Sequence, residues 1–298
     1  MRVPKTVRID DDLAIRQECE LVGPRGQRMF VSRSAPLGPA VAGVVICSPI
    51  HAEFPKNYRR EVLLSRTLAA RGFAVQRFHY RGAGHSDGDS SQLSLQTMVE
   101  DARAATQQFI ESTGLSEVAF LGTRLGGLVA AAVAAGFDAA PLALWEPVLE
   151  PSTYFREVLR ARLMSELRQG TGDGNSAQSL LDQLRTTGLV DVLGYPVERE
   201  LYDSLVGREL EGGIGTHPRP ILLLQFSLAK ELRTEYLSLA QRLRAREFPV
   251  REAVVGSDEG WWFIQDAWQA DTATSQGTPV EITADWLVEC RGAVGVER

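Results

Sequence analysis

The sequence predicts an α/β protein with a mostly parallel central sheet, flanked by helices and interrupted by a helical insertion. Three features of the chain point that way. Short apolar, β-branched runs alternate with helical stretches towards both ends, the pattern of strands joined by crossover helices. Near the middle, the apolar run Glu117-Val118-Ala119-Phe120-Leu121 meets Gly122-Thr123-Arg124-Leu125-Gly126, and a helix of small residues, Leu125 to Ala135, follows without a spacer. The alternation then stops from about Pro151 to His217, where Phe155, Leu159, Leu163 and Leu167 recur at four-residue spacing.

Glu18 to Val22 and Met29 to Ser32 flank Gly23-Pro24-Arg25-Gly26, a turn signal, and read as a β-hairpin. Val41 to Cys47 is an unbroken apolar run, as expected of a strand buried on both faces. Lys56 to Arg71 reads as a helix with Val62, Leu63 and Leu68 inward and Gly72 as its stop; Phe73 to Phe78 is the next strand. Ser94 to Thr113 gathers Leu95, Met98, Val99, Ala102, Phe109 and Ile110 on one helical face. Pro141 to Trp145 is another buried strand. Within the insertion, the glycine-rich stretch 170–175 reads as a mobile linker. The sheet resumes with Ile221 to Gln225, a helix from about Glu231 to Arg244, and Val250 to Val255. Thr278-Pro279-Val280-Glu281 opens the last helix, because Thr and Glu three apart cap each other's backbone donors and proline suits the first helical position. These limits divide the chain into a core, residues 1–149 and 218–298, and a helical cap, residues 150–217.

A chain of 298 residues, 44% hydrophobic and 23% charged, suits one large globular unit with an inserted lobe. Its net charge of −6 argues against nucleic acid or an anionic membrane as partner. Cys19, Cys47 and Cys290 are widely spaced, without a CxxC pair or metal-like spacing, which fits a reducing cytoplasm and calls for neither metal nor cofactor. Met1 to Lys5 lead into Asp10-Asp11-Asp12 with no apolar stretch of the signal-peptide kind. The most apolar segment, Leu125 to Ala140, holds three glycines and Asp138, and reads as a buried helix, not a membrane insertion.

Three segments resemble the α/β-hydrolase superfamily. Cys47-Ser48-Pro49-Ile50-His51 follows a buried strand where such enzymes place an oxyanion-hole loop. His79-Tyr80-Arg81-Gly82-Ala83-Gly84-His85-Ser86 resembles their D-x-R-G-x-G-x-S loop, with His79 in place of the aspartate. Gly122 to Gly126 stands where the superfamily keeps its nucleophile elbow, Gly-x-Ser-x-Gly, a strained turn that lifts the reactive side chain above the sheet. Here the serine position holds Arg124. Together with Leu144-Trp145-Glu146-Pro147-Val148, this elbow is most similar to the exosortase A system-associated hydrolase 2 group, whose members also carry arginine there.

The resemblance implies an α/β-hydrolase fold with a cap and a triad in the order nucleophile, acid, histidine. The acid is expected after Gln225, in Phe226-Ser227-Leu228-Ala229-Lys230-Glu231, and the histidine after Val255, in Gly256-Ser257-Asp258-Glu259-Gly260-Trp261-Trp262. Neither loop supplies it. Serine, acid and base are therefore all missing, and a guanidinium, always protonated, can neither attack a carbonyl nor accept a proton.

Two readings of Arg124 stay open. A helix N-terminus with an added guanidinium would hold a carboxylate or phosphate. Otherwise Arg124 makes an internal salt bridge across a relict pocket, with Glu146 as its best partner and Asp258 or Glu259 as alternatives. Thr123 and Leu125 flank it, Ile50 and His51 are placed at the pocket mouth, and Trp261 belongs to an aromatic cluster that packs the core or walls an apolar cavity. Cys47 with His51 forms a nucleophile–base candidate, set against Cys47 as a core residue. The expected function is binding of a small anionic or acyl-bearing ligand, or of a protein partner, without serine-hydrolase chemistry. The alternatives are a hydrolase or acyltransferase with a carboxylate base, and a non-catalytic interaction module of an exosortase or exopolysaccharide-type system.

Overall fold

The computed structural model describes residues 5–172, 174–229, 231–257 and 277–296. Its opening strands β1 (Thr6–Asp10), β2 (Ile15–Val22) and β3 (Met29–Pro36) form an antiparallel ribbon, and β3 joins it to β5 (Phe73–Phe78). Beyond β5 the sheet is parallel: β4 (Ala42–Cys47), β6 (Val118–Thr123), β7 (Leu142–Trp145), β10 (Ile221–Phe226) and β11 (Val250–Val255). Every residue of β4, β5, β6, β7 and β10 is buried, as parallel strands covered on both faces require. The predicted hairpin is longer than its apolar signal, and β1 adds a strand that the sequence reading lacked.

Right-handed crossovers place the helices. The chain steps one way from β4 through α1 (Glu53–Ala70) to β5, and the other way through α2 (Leu95–Thr113) to β6 and α3 (Gly126–Ala134) to β7, so α1 lies on one face and α2 and α3 on the other. In keeping with this, α2 packs on α3, and α1 packs on the last helix, numbered α9 below. Adjacent strands β4 and β6 thus send their connections to opposite faces. That reversal opens a crevice at their C-terminal ends, where the loop Ser48–His51 and the elbow meet.

Helix α1 departs from its predicted phase. Leu63 is 44% exposed, and the inward face carries Glu53, Asn57, Glu61, Leu64 and Leu68 instead. The i, i+4 stripe is polar over its first two turns, so hydrophobic periodicity pointed at the wrong residue. Between β7 and β10 the chain forms α4 (Pro151–Gln169), α5 (Ala177–Thr187), β8 (Leu189–Val192), β9 (Tyr195–Glu198), α6 (Arg199–Leu205) and α7 (Leu210–Ile214). The stretch read as all helical therefore contains a two-stranded hairpin, β8 against β9. Helix α7 packs on α3 and α6 on α2, seating this segment on the core. The core closes with α8 (Thr234–Ala245) and α9 (Pro279–Val296), the latter receiving a hydrogen bond from buried Trp145 Nε1 to Thr283 Oγ1 at 2.9 Å.

Candidate functional site

β6 ends at Thr123 and α3 begins at Gly126, leaving two residues for the reversal. Arg124 adopts a φ of 52°, a left-handed value disfavoured for any residue with a Cβ. The turn is fixed by its backbone: Arg124 N donates to Trp145 O at 3.1 Å, and Arg124 O accepts from Gly127 N at 3.0 Å. Both motif glycines are sterically required. A Cβ on Gly122 would stand 2.6 Å from Gly127 Cα, and one on Gly126 would stand 2.7 Å from Ser48 O. Two further non-glycine residues with left-handed backbones surround the elbow, Glu146 (φ 41°) after β7 and His51 (φ 54°) after β4. Strain of this kind persists only where the surroundings enforce it, and it gathers at functional sites.

A buried guanidinium needs carboxylates, since an unpaired charge in the interior is costly. Arg124, 3% exposed, has three. Its Nε donates to Glu53 Oε1 at 2.9 Å, its Nη2 donates to Glu157 Oε2 at 3.2 Å, and its Nη1 lies 3.9 Å from Glu146 Oε1. The guanidinium also sits over the Tyr154 ring, 5.5 Å from its centroid. Burial opposes its charge, but Glu53 and Glu146 outweigh that and raise its pKa further. Burial likewise pushes the Glu53 carboxyl up, while Arg124 pulls it back down. Glu146 is shared: Arg233 Nη2 reaches the same Oε1 at 3.2 Å.

Beneath the elbow runs a second buried network. Ser48 Oγ donates to Glu61 Oε2 at 2.6 Å, and Asn57 Nδ2 reaches Glu61 Oε1 at 2.8 Å and Thr123 Oγ1 at 3.2 Å. Tyr80 Oη donates to Ser48 O at 3.2 Å. This polar spine along α1 ties the loop after β4 to the last residue of β6, holding the turn in register.

Above Arg124 lies a cleft of about 270 Å³, lined by Pro147, Tyr154, Glu157, Arg233 and Tyr236 among others. The structure thus brings Arg124 and Glu146 together, as the sequence reading anticipated, but Glu53 and Glu157 are its nearer partners and were missed. Thr123 and Leu125 are buried and do not line the cleft; Ile50 and His51 line a different cavity. Asp258, Glu259 and Trp261 lie outside the described residues. After β10, Ser227 Oγ accepts from Ala229 N at 3.1 Å, a local turn with no carboxylate in it. Cys47 is fully buried; burial, with Glu61 nearby, raises its thiol pKa, which suits a core residue and not a nucleophile. Among the described residues, no group of three or more His, Cys, Asp or Glu side chains could hold a metal ion, and no helix is long and apolar enough to cross a membrane.

A family model described as serine aminopeptidase, S33, matches residues 39–180, from just before β4 into α5. No curated protein matches the sequence. Among solved structures, Est1E from Butyrivibrio proteoclasticus with ferulic acid bound aligns at a TM-score of 0.62 and 15% identity, over 91% of this chain and 99% of its own. An α/β serine hydrolase homologue from Coxiella burnetii aligns at 0.52 and 15% identity, over 91% and 95%. Esterases from Rhizomucor miehei align at 0.52 and 13% identity, over 97% and 87%. The fold is that of the α/β-hydrolases.

Proposed function

We propose that this protein binds a small acyl- or carboxylate-bearing molecule in the Arg124 cleft and does not carry out serine-hydrolase chemistry. The pair between Arg124 Nε and buried Glu53 supports this most directly, because it fixes a guanidinium where a serine would have to attack. Glu53 and Glu146 are each only 2% exposed in their side chains, whereas Glu157 is 41% exposed. Glu157 is therefore the exchangeable partner. A ligand carboxylate or carbonyl would take its place on Nη2, with Arg233, 37% exposed, as a second donor. We take residues 150–217 to be a cap over this cleft, contributing Tyr154 and Glu157. The elbow's similarity to the exosortase A system-associated hydrolase 2 group supports a cytoplasmic setting within an exopolysaccharide-type system.

Hydrolysis through rearranged residues is the weaker reading, because Glu146 already accepts from Arg233 and does not line the cleft. The test combines fluorophosphonate labelling, turnover of p-nitrophenyl esters of graded chain length, and calorimetric titration with octanoate. No labelling and no turnover are expected. Octanoate should bind, and about fivefold more tightly in Glu157→Gln, which removes its competitor. Ester turnover that disappears in Arg124→Met would sink the proposal.

A further inference from the structure

On the other side of the α1 N-terminus lies a second cavity, of about 420 Å³. It opens over the C-terminal ends of β4 and β5, one strand along from the elbow. Glu53 turns towards Arg124, while the next residue, Phe54, lines this cavity. Pro49, Ile50 and Leu93 supply further apolar wall, and Tyr195 closes it from the β8–β9 hairpin. The volume falls in the range of small-molecule sites. Arg124, Glu157 and Arg233 take no part in it, so it stands apart from the Arg124 cleft.

Its polar character is unusual. Among the described residues, no Asp, Glu, Lys or Arg lines it. The titratable side chains are His51, His79, Tyr80 and Tyr195, and burial pushes the two imidazoles down to about 4 and about 3, so both are neutral at physiological pH. His79, only 5% exposed, accepts a hydrogen bond at Nδ1 from His85 N at 3.0 Å. A neutral imidazole that accepts at Nδ1 carries its proton on Nε2. That donor has no hydrogen-bond partner among the described residues, although the ring is packed against the rings of Phe30, Phe54 and Tyr58. A ligand acceptor would satisfy the donor. A ligand charge would find no counter-charge and would lose its hydration.

We propose that this cavity binds an uncharged, planar aromatic molecule bearing a hydrogen-bond acceptor, such as an aromatic ester or ketone, with His79 Nε2–H as the donor. The aromatic side chains of Phe54, Phe78, Tyr80 and Tyr195 in its wall suit a flat ring, and the site's neutrality selects against the corresponding acid.

Methyl cinnamate and sodium cinnamate are the probes, each titrated into the full-length protein near pH 7.5. The readout is the long-range ¹H–¹⁵N spectrum of the histidine side chains, of which the chain has four. In the free protein, the His79 signals should report the Nε2–H tautomer. Methyl cinnamate should shift them, while cinnamate leaves them in place. Ala83→Leu, which fills the cavity from its exposed loop, should weaken ester binding about tenfold, and His79→Phe by about fivefold, the worth of one hydrogen bond. If His79→Phe does not fold, Ala83→Leu decides alone. No ester binding, an unmoved His79, equal shifts from ester and acid, or full-strength binding in Ala83→Leu would each overturn the proposal.

Discussion

The two sides of the α1 N-terminus answer a similar problem in opposite ways. At the elbow, Arg124 places a charge in the interior. In the loop after β5, His79 is buried just as deeply but carries none. The elbow's charge is met by three carboxylates, two of them fully buried. The loop after β5 needs no such partner: His79 Nδ1 accepts the backbone N–H of His85, and burial keeps the ring neutral. A backbone frame can thus hold a buried polar side chain either by balancing its charge or by keeping it uncharged. The elbow is the costly solution and the histidine loop the cheap one.

The largest expected effect tests the costly solution. Glu53→Ala leaves the guanidinium short of its nearest buried carboxylate and should destabilise the fold by about 3–5 kcal/mol, measured by urea unfolding. The double variant Glu53→Leu with Arg124→Met should recover most of that loss, since removing both charges is far less costly than removing one. If the double variant is as unstable as the single, the pair does not carry the elbow. Next comes the frame itself. Gly126→Ala forces a Cβ against Ser48 O and should cost about 2–3 kcal/mol, from strain at a tightly packed turn, whether or not Arg124 is present.

Acid titration probes the cheap solution. Unfolded histidine takes up its proton near pH 6.5, but folded His79 resists until about 3, so stability is intact above pH 6.5 and falls as the pH drops through that window. The loss should reach on the order of 2 kcal/mol by about pH 4. His51 adds to it in the same direction, though its ring keeps some contact with solvent and His79 should dominate. Thermal unfolding in matched buffers reads this, and His79→Phe should flatten the profile. The smallest effect is Glu157→Gln, whose exposed ion pair should change stability by less than about 1 kcal/mol. A larger loss would make Glu157 a structural partner equal to Glu53 and erase the inner–outer distinction on which ligand exchange depends.

Much of the architecture was legible from the chain. Parallel strands such as Ala42–Cys47 and Ile221–Phe226 are apolar throughout because both faces are covered, and the elbow announces itself through Gly122 and Gly126, whose hydrogens are all the space permits. What stayed hidden had weak one-dimensional signals. Strand β1 is mostly exposed and polar, so no apolar run marked it. Helix α1 begins at Glu53, three residues before the expected start at Lys56, with Pro55 tolerated in its first turn. The later expected start left Glu53 outside the helix and concealed it as a partner of Arg124. Glu157 carried no signal at all, because its contact with Arg124 depends on how α4 lies over the core. Glu146 could be named only because it follows the strand adjacent to the elbow.

Glu53 and Phe54 are neighbours on one rigid helix end, yet each belongs to a different chamber. The first turn of α1 is thus a shared wall, and any displacement of its backbone would be felt in both chambers at once.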